Sequence, residues 1–327
     1  MLTKLLLLAI LSQSFAEVYE NTFDCEDHFS ESHENGTIEY HNFVTTNVKF
    51  YLYTSPPDND TIELNSTNLH LVNLTQPTKI IIHGLQSYEN QVWVDKMVQN
   101  YHTKGDYNII AVDWSVISSD ETFYVVSAVD DLGRYVGDFI MEVTQNNYQY
   151  LSDVHLIGSS LGAQIAGAAG SAISNKTNAR VDRITGLDPT QPENLQLLDE
   201  NTAEFVDVIH TTLYYGQESC GTVDFYVMAE DPQRPICYND TCGELLGDDY
   251  YAVTIIDEDR FEGVTCYNSS LAVQRLCDKA KSAVMGEYVP RDVTGSFLVK
   301  DSAAVIYSGR RVLLSIISTL LLLRLIV

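Results

Sequence analysis

The sequence predicts an α/β fold with a largely parallel central sheet. Short runs of β-branched and apolar residues alternate along the chain with segments of helical periodicity, which is the order expected of βαβ units. Several of these runs are apolar throughout instead of alternating with polar residues. Continuous apolar runs are typical of strands that are covered on both faces by helices.

Six strands and four helices follow from these patterns. The strands are predicted over residues 48–53, 79–82, 109–114, 154–158, 183–187 and 205–209. The helices, in which apolar residues recur every three or four positions, are predicted over residues 89–101, 123–143, 161–172 and 270–285. The acidic stretch 238–265 is bounded by cysteines, and we predict an irregular surface excursion there.

Composition excludes some classes of function. The chain has 327 residues, and 45% of them are hydrophobic, which is ordinary for a globular protein and too many for a disordered one. It carries 19 basic and 45 acidic side chains, a formal net charge of -26. Nucleic acid is therefore not expected as a partner, because phosphate binding needs a basic face. The same surplus argues against electrostatic docking on anionic lipid.

Both ends of the chain are apolar. Residues 1–16 have the charge, the short apolar run and the small final residues of a cleaved secretory signal peptide, and the run is too short for a spanning anchor. Residues 303–327 form an apolar tail, and with the small triplet Ser302, Ala303 and Ala304 at its start they fit a GPI-anchor signal. A helix packed on the domain and a tail anchor are the alternatives. Residues 17–302 remain as one domain, which we expect outside the cell and anchored at its surface.

The cysteines agree with an oxidising compartment. In such a compartment the six cysteines are expected to pair, and because four of them lie between 237 and 277, we predict a disulfide in that segment. Metal binding by them is a poor alternative, because no histidine lies nearby and no tight Cys-x-x-Cys pair occurs. We therefore expect no metal and no cofactor. Sequons for N-glycosylation begin at Asn35, Asn59, Asn65, Asn73, Asn175, Asn239 and Asn268.

A candidate nucleophile lies between a predicted strand and a predicted helix. Residues 158–162 read Gly-Ser-Ser-Leu-Gly and match G-x-S-x-G, which in this context predicts a nucleophile elbow that presents Ser160. The backbone N–H of Leu161 is then one oxyanion donor. The backbone N–H of Leu85, in the His-Gly-Leu turn after another strand, is the second. His83 in that turn is interpreted as structural.

The triad acid is expected next along the chain. Asp188 lies at the end of a predicted strand, 28 residues after Ser160, in the sequence Gly-Leu-Asp-Pro. An aspartate before proline is also a common turn residue. Its place in the order and at a strand end favours the catalytic interpretation.

These segments, together with residues 80–85, 110–114, 154–170 and 206–211, resemble the pancreatic-lipase family. That family includes animal triglyceride lipases, sn-1-specific phospholipases and insect yolk proteins, and the resemblance covers residues 40–300. It implies an α/β-hydrolase fold with flanking helices. It also implies Ser160 as the nucleophile, Asp188 as the acid, and Leu85 and Leu161 as the oxyanion amides.

The family's catalytic histidine is missing from the expected position. It should follow a cysteine near residues 267–270, where this chain reads Cys-Tyr-Asn-Ser-Ser from Cys266. All eight histidines lie at or before position 210. His210 keeps the chain order of the triad and is the one weak candidate for a relocated base, although it matches a structural histidine of the family.

Three functions compete. The leading hypothesis is a lipase-fold protein with a degenerate triad that is weak or inactive and binds a lipid or a protein partner. The alternative is an active carboxylic ester hydrolase, a triglyceride lipase or an sn-1 phospholipase, that uses His210. An adhesion role that ignores the pocket is the third. The segment 243–265 occupies the family's lid position, and it is either a cover for an acyl pocket or a solvated loop held by a disulfide.

Overall fold

The computed structural model describes residues 44–55, 60–85, 92–119, 122–191, 195–211, 218–229, 240–277 and 281–301. All of them lie in one unit that begins at Val44. The predicted signal peptide, the apolar tail and the sequons at Asn35, Asn59 and Asn239 lie outside the described residues. Among the helices that are described, none is long and apolar enough to cross a membrane.

Eleven strands in the described residues form one sheet, in the order β10-β9-β11-β8-β7-β6-β5-β3-β4-β1-β2. The strands are β1 (Lys49–Tyr53), β2 (Thr61–Leu64), β3 (Thr78–Ile82), β4 (Asn108–Asp113), β5 (Val154–Ser159), β6 (Arg183–Leu187), β7 (Phe205–His210), β8 (Val223–Ala229), β9 (Glu262–Cys266), β10 (Ser282–Val284) and β11 (Gly295–Asp301). The seven strands from β4 to β11 in this order are mutually parallel. The outer strands β1, β2, β9 and β10 pair antiparallel.

The helices that link these strands cover the sheet. They are α1 (Val92–Lys104), α2 (Ser115–Ser118), α3 (Thr122–Val143), α4 (Leu161–Thr177), α5 (Asp240–Ile256) and α6 (Ser269–Val273). Trp93 and Met97 of α1 join Tyr251 and Ile255 of α5 in one core cluster. Helices α3 and α4 pack against each other, and Gly133 permits this because a Cβ there would collide with Ala168. This arrangement and the parallel strands confirm the predicted α/β-hydrolase fold.

The side of the sheet to which the chain adds successive strands switches at its centre. β4 lies on one side of β3, and β5 lies on the other side. In an open α/β sheet, a site forms beyond the carboxyl ends of the strands at such a switch point. Leu85 follows β3 and Ser160 follows β5, so the fold brings the predicted site residues to this point.

Two predicted segments are wrong. The stretch 238–265 is not an irregular excursion, because it contains α5 and β9, and Tyr250 and Tyr251 of α5 are fully buried. The acidic side chains of this stretch made the helix hard to recognise from the sequence. Two of them pair with lysines of α1: Asp249 with Lys96 at 2.8 Å and Glu258 with Lys104 at 2.8 Å. The alternative of a solvated loop in the lid position is wrong for the same reason.

The predicted helix over 270–285 is also wrong over most of its length. Helix α6 ends at Val273, and Arg275 has a positive φ of 60°. Cys277 then returns to Cys266, with Cα atoms 4.4 Å apart, so the helix cannot continue. This bridge confirms the disulfide predicted in the segment. Cys220 is buried and has a free thiol, which differs from the expectation that the cysteines all pair.

Candidate active site

Ser160 has the strained backbone of a nucleophile elbow. It separates β5 from α4, with φ 54° and ψ -120°, a region that L-residues rarely adopt. Glycines on both sides make the turn possible. A Cβ on Gly158 would collide with the carbonyl of Gly162, and a Cβ on Gly162 would collide with the carbonyl of Ile82. The geometry is therefore that expected from the G-x-S-x-G sequence.

The turn after β3 lies directly against this serine. A Cβ placed on Gly84 would be 2.8 Å from the Cβ of Ser160, so only glycine fits there. Leu85 is the next residue, and Leu161 opens α4 immediately after Ser160. The fold thus brings together the three residues expected to form the nucleophile and the oxyanion amides.

His83 holds that turn in place. Its Nδ1 lies 2.7 Å from the carbonyl oxygen of Gly84, and its Nε2 accepts from the backbone N–H of Trp114 at 3.3 Å. The imidazole stacks on the Trp114 ring, 5.2 Å between centroids. Burial lowers the pKa of His83, so the ring is neutral and donates from Nδ1. These contacts agree with the structural interpretation.

Asp188 is buried at the end of β6, with a positive φ of 44°. Thr211, the residue after β7, donates to both carboxylate oxygens. Its backbone N–H reaches Oδ1 at 2.5 Å, and its hydroxyl reaches Oδ2 at 2.6 Å. Sequence reasoning missed Thr211, because its contact depends on the register between β6 and β7.

Helix α5 covers the carboxylate. A Cβ on Gly247 would collide with Oδ2 of Asp188, so the helix backbone touches the acid. The next residue, Asp248, is buried and accepts at Oδ2 from the hydroxyl of Ser159 at 3.2 Å. The segment in the lid position therefore makes direct contact with the candidate triad.

Ser160 has a hydroxyl partner that the sequence did not reveal. Its Oγ lies 2.7 Å from Oγ1 of Thr190, and either atom could be the donor. Gln164, one turn further along α4, donates to the carbonyl of Thr190 at 2.9 Å and accepts from the N–H of Leu197 and of Leu198. The sequence signal for Gln164 is its position four residues after Ser160, because residues four apart share a helix face.

The structure does not bring the ring of His210 to this group. Its Nε2 lies 2.8 Å from Oδ1 of Asp224, and the ring stacks on Tyr226 at 4.5 Å. Both partners belong to β8, on the side away from Asp188. The adjacent residue, Thr211, is the one that reaches the acid.

At the expected position of the base stands Asn268. It is exposed, and its Oδ1 accepts from the backbone N–H of Leu271 at 2.9 Å, which makes it the N-cap of α6. Tyr267 beside it is 90% exposed. The amide of Asn268 therefore performs a capping role and has no basic nitrogen to offer.

A family model described as Lipase matches residues 22–294. Pancreatic triacylglycerol lipase of Equus caballus is 32% identical over 291 residues, covering 75% of this chain and 60% of that protein. Lipase member H-A of Xenopus laevis is 33% identical over 249 residues, covering 71% of this chain and 49% of that protein. The chain thus spans between about half and 60% of the length of these relatives.

Proposed function

Because this chain belongs to the lipase family, we propose that it is an extracellular lipase-fold protein that binds an acyl lipid at the Ser160 site and hydrolyses esters weakly or not at all. The elbow, the oxyanion turn and Asp188 support a site for an ester-containing ligand. Two relatives are named as triacylglycerol lipase and lipase, and the ligand class is inferred from those names and from the serine site.

The observation that carries the proposal is the capping role of Asn268. An acyl transfer at serine needs a base that takes the hydroxyl proton and returns it to the leaving group. An amide has no useful pKa for that step. An oxyanion hole and substrate binding without a complete triad leave a rate only ~10³ to 10⁴ above water.

The surroundings of His210 support the same conclusion. To act as the base, its ring would have to leave Asp224 and Tyr226 and move toward β6. The imidazole would then lose its buried, charge-assisted hydrogen bond to Asp224, which is worth about 1.5–3 kcal/mol. The contacts of His210 therefore do not support the active-hydrolase alternative.

Extracellular location and anchoring are part of the proposal. Residues 1–16 have the pattern of a signal peptide, and residues 303–327 have that of a GPI signal. The sequons at Asn65, Asn73, Asn175 and Asn268 are exposed in the structure, so glycans can be accommodated there. A glycan on Asn268 would stand where the family has its base.

Catalysis is tested with a fluorophosphonate probe and a short-chain ester. We expect turnover by the purified full chain to equal that of Ser160→Ala. The proposal is contradicted if labelling and turnover are substantial in the parent protein and vanish in Ser160→Ala. Loss of that turnover in His210→Gln, with unchanged folding by circular dichroism, would then identify the relocated base.

Binding is tested separately with a fluorescent acylglycerol. We expect saturable binding that is abolished by Ser160→Trp, which fills the elbow. Ser152→Trp is the matched control, because Ser152 is exposed in the turn that precedes β5, at the opposite edge of the sheet. Equal binding by the two variants, both folded, would place the lipid elsewhere and refute the proposed site.

A further inference from the structure

A surface groove of about 230 Å³ lies where helices α3 and α4 pack together. The helices approach closely, because Gly133 and Gly137 of α3 face α4 without a side chain, and a Cβ on Gly137 would lie 3.4 Å from the Cβ of Ala172. The small residues Ala168 and Ala172 of α4 line the groove and leave it open. Its volume is below the ~300–1,000 Å³ of pockets that take drug-sized ligands, so it has room for one or two sugar residues.

Charged side chains from both helices stand at this groove. The guanidinium of Arg134 donates to Asp130 at 2.5 Å within α3, and Lys176 of α4 donates to Asp138 of α3. All four side chains are 45% to 62% exposed. A guanidinium carries five N–H donors and a carboxylate accepts several hydrogen bonds, so Arg134 and Asp130 can bond a further polar group while they stay paired.

The chain itself carries a candidate occupant of the groove. Asn175 lines it and begins the sequon Asn-Lys-Thr. Asn175 lies on α4 three positions after Ala172 and seven after Ala168, so the three residues share one face of the helix. Side chains on a helix point back toward its N-terminus. A glycan on Asn175 is therefore directed along α4 into the groove and not away into solvent.

We propose that the groove between α3 and α4 is a saccharide site that holds the first N-acetylglucosamine of a glycan linked to Asn175. The acetamido methyl and the apolar face of the sugar pack on Ala168 and Ala172, and its polar groups bond Arg134 and Asp130. The inference goes beyond lipid binding. It rests on the proposed function only for the extracellular location, because sequons are used in secreted proteins.

Covalent linkage makes a small, exposed groove sufficient as a site. A free monosaccharide loses translational and rotational freedom on binding, which opposes its association with so few contacts. The linked sugar is held at a high effective concentration, so weak contacts keep it seated. The seated sugar bridges α3 and α4, and α4 begins at Leu161, directly after Ser160. The glycan thus braces the helix that follows the elbow.

Seating is tested by the rate at which peptide-N-glycosidase releases each glycan from the full chain, made in eukaryotic cells and followed by mass spectrometry. We expect native release at Asn175 to be ~10-fold or more slower than at the exposed Asn65 and Asn73, because the enzyme acts on the unseated sugar. The rates should become equal after denaturation. Arg134→Gln should speed release at Asn175 alone. Lys49→Gln, which removes the cation of an exposed pair in β1, is the matched control.

Equal release from the native protein at the three sequons overturns the saccharide site. A chain that carries glycans at Asn65 or Asn73 and none at Asn175 overturns it as well. Saturable binding of a fluorescent acylglycerol would still stand in both cases, so these failures are distinct from failure of the lipid-binding function. A chain with no glycan at any sequon overturns the saccharide site and also contradicts the proposed extracellular location.

Thermal unfolding gives a second measurement, on protein from cells that make only high-mannose glycans. Trimming to a single N-acetylglucosamine with an endoglycosidase should leave the midpoint unchanged within ~1 °C, whereas Asn175→Gln should lower it by ~2–4 °C. Glutamine favours a helix more than asparagine does, so helix propensity cannot cause that loss. In the Arg134→Gln background the loss should shrink to less than ~1 °C. No loss in the parent background, or the same loss in both backgrounds, overturns the proposal.

Discussion

Ser160 stores strain that an active serine hydrolase needs and a lipid-binding protein does not. Its φ of 54° and ψ of -120° cost of order 1–3 kcal/mol in a non-glycine residue. The glycines on both sides of Ser160 make this turn possible, because a Cβ at either position would collide with a neighbouring carbonyl. The strained turn is thus present although Asn268 stands where the base is expected.

Ser160→Gly is expected to stabilise the protein by about 1 kcal/mol, since relief of backbone strain exceeds the added entropy of the unfolded glycine. Denaturant unfolding measures the change. Ser171→Gly, an ordinary helical position of the same helix α4, is the control and should destabilise by up to ~1 kcal/mol. A loss of stability in both variants would show that the elbow carries no relievable strain.

Asn268 and His210 illustrate how a residue's role depends on its partners. Asn268 keeps the backbone position of a helix start, and its side chain caps α6. His210 keeps the chain order expected of a base, but Asp224 holds its Nε2. The acid is retained, and it is satisfied by Thr211. Asn268, His210 and Asp188 are thus each held by partners that do not belong to a catalytic triad.

At the scale of elements, a buried charge network joins the amino ends of the strands to α1, α5 and the turn before β11. Lys79 of β3 contacts Glu287 at 2.6 Å, and Arg183 of β6 forms a two-fold pair with Asp207 at 2.6 and 2.8 Å. Glu287 also accepts from the hydroxyls of Tyr101 in α1 and Tyr251 in α5. The network thus fastens α5 to the sheet from the side opposite Asp188.

Glu287→Gln should destabilise the protein by about 3–5 kcal/mol, because it removes the carboxylate that pairs with the buried Lys79, while Arg183 keeps Asp207. Glu258→Gln is the matched control. It removes an exposed partner of Lys104, and its effect should be at most ~1 kcal/mol. Similar losses in both variants, measured by chemical denaturation, would contradict a special role for the buried pair.

The same carboxylate gives a pH dependence with a defined sign. Burial works to raise the pKa of Glu287, but attraction to Lys79 and Arg183 outweighs it and the pKa lies below its ordinary value. A depressed carboxyl pKa contributes stability that is complete above the ordinary value, about 4.3, and is lost as pH falls through the folded pKa. Unfolding midpoints of Glu287→Gln should therefore show a smaller acid decline than those of the parent.

Helix α5 is packed into the core, and we predict that it does not open as a lid. Tyr250, Tyr251 and Ile255 are fully buried, and Asn100 of α1 donates to the carbonyl of Ala252 at 2.6 Å. Amide hydrogens of residues 250–255 should exchange as slowly as those of β5, with and without lipid. Helix α6, short and exposed on one side, serves as the fast-exchanging reference. Rapid exchange in α5 that slows on addition of lipid would instead identify a working lid.

At the scale of the whole molecule, local patterns in the sequence predicted the parallel strands and the elbow. Apolar periodicity and the Gly-x-Ser-x-Gly spacing are properties of neighbouring residues, so they could be detected without a structure. Helix α5 could not be predicted in this way, since Asp249 within it and Glu258 just after it are paired by lysines about 150 positions earlier in the chain. Thr190 and Thr211 could not be predicted either, because a loop and the register between strands bring them to the site.

The acidic surplus also belongs to the whole molecule. Of the acidic residues that pair in the structure, Asp207 and Glu287 are buried, while Asp130, Asp138 and Asp182 are among those at the surface. A surface of this sign should keep the protein, produced without residues 303–327, off vesicles rich in phosphatidylserine. Salt shortens the Debye length to ~10 Å at 0.1 M and weakens that repulsion, so any residual binding should rise with ionic strength. Cosedimentation measures this slope. Binding that falls as the salt concentration rises would instead reveal a basic docking face and contradict an acidic surface.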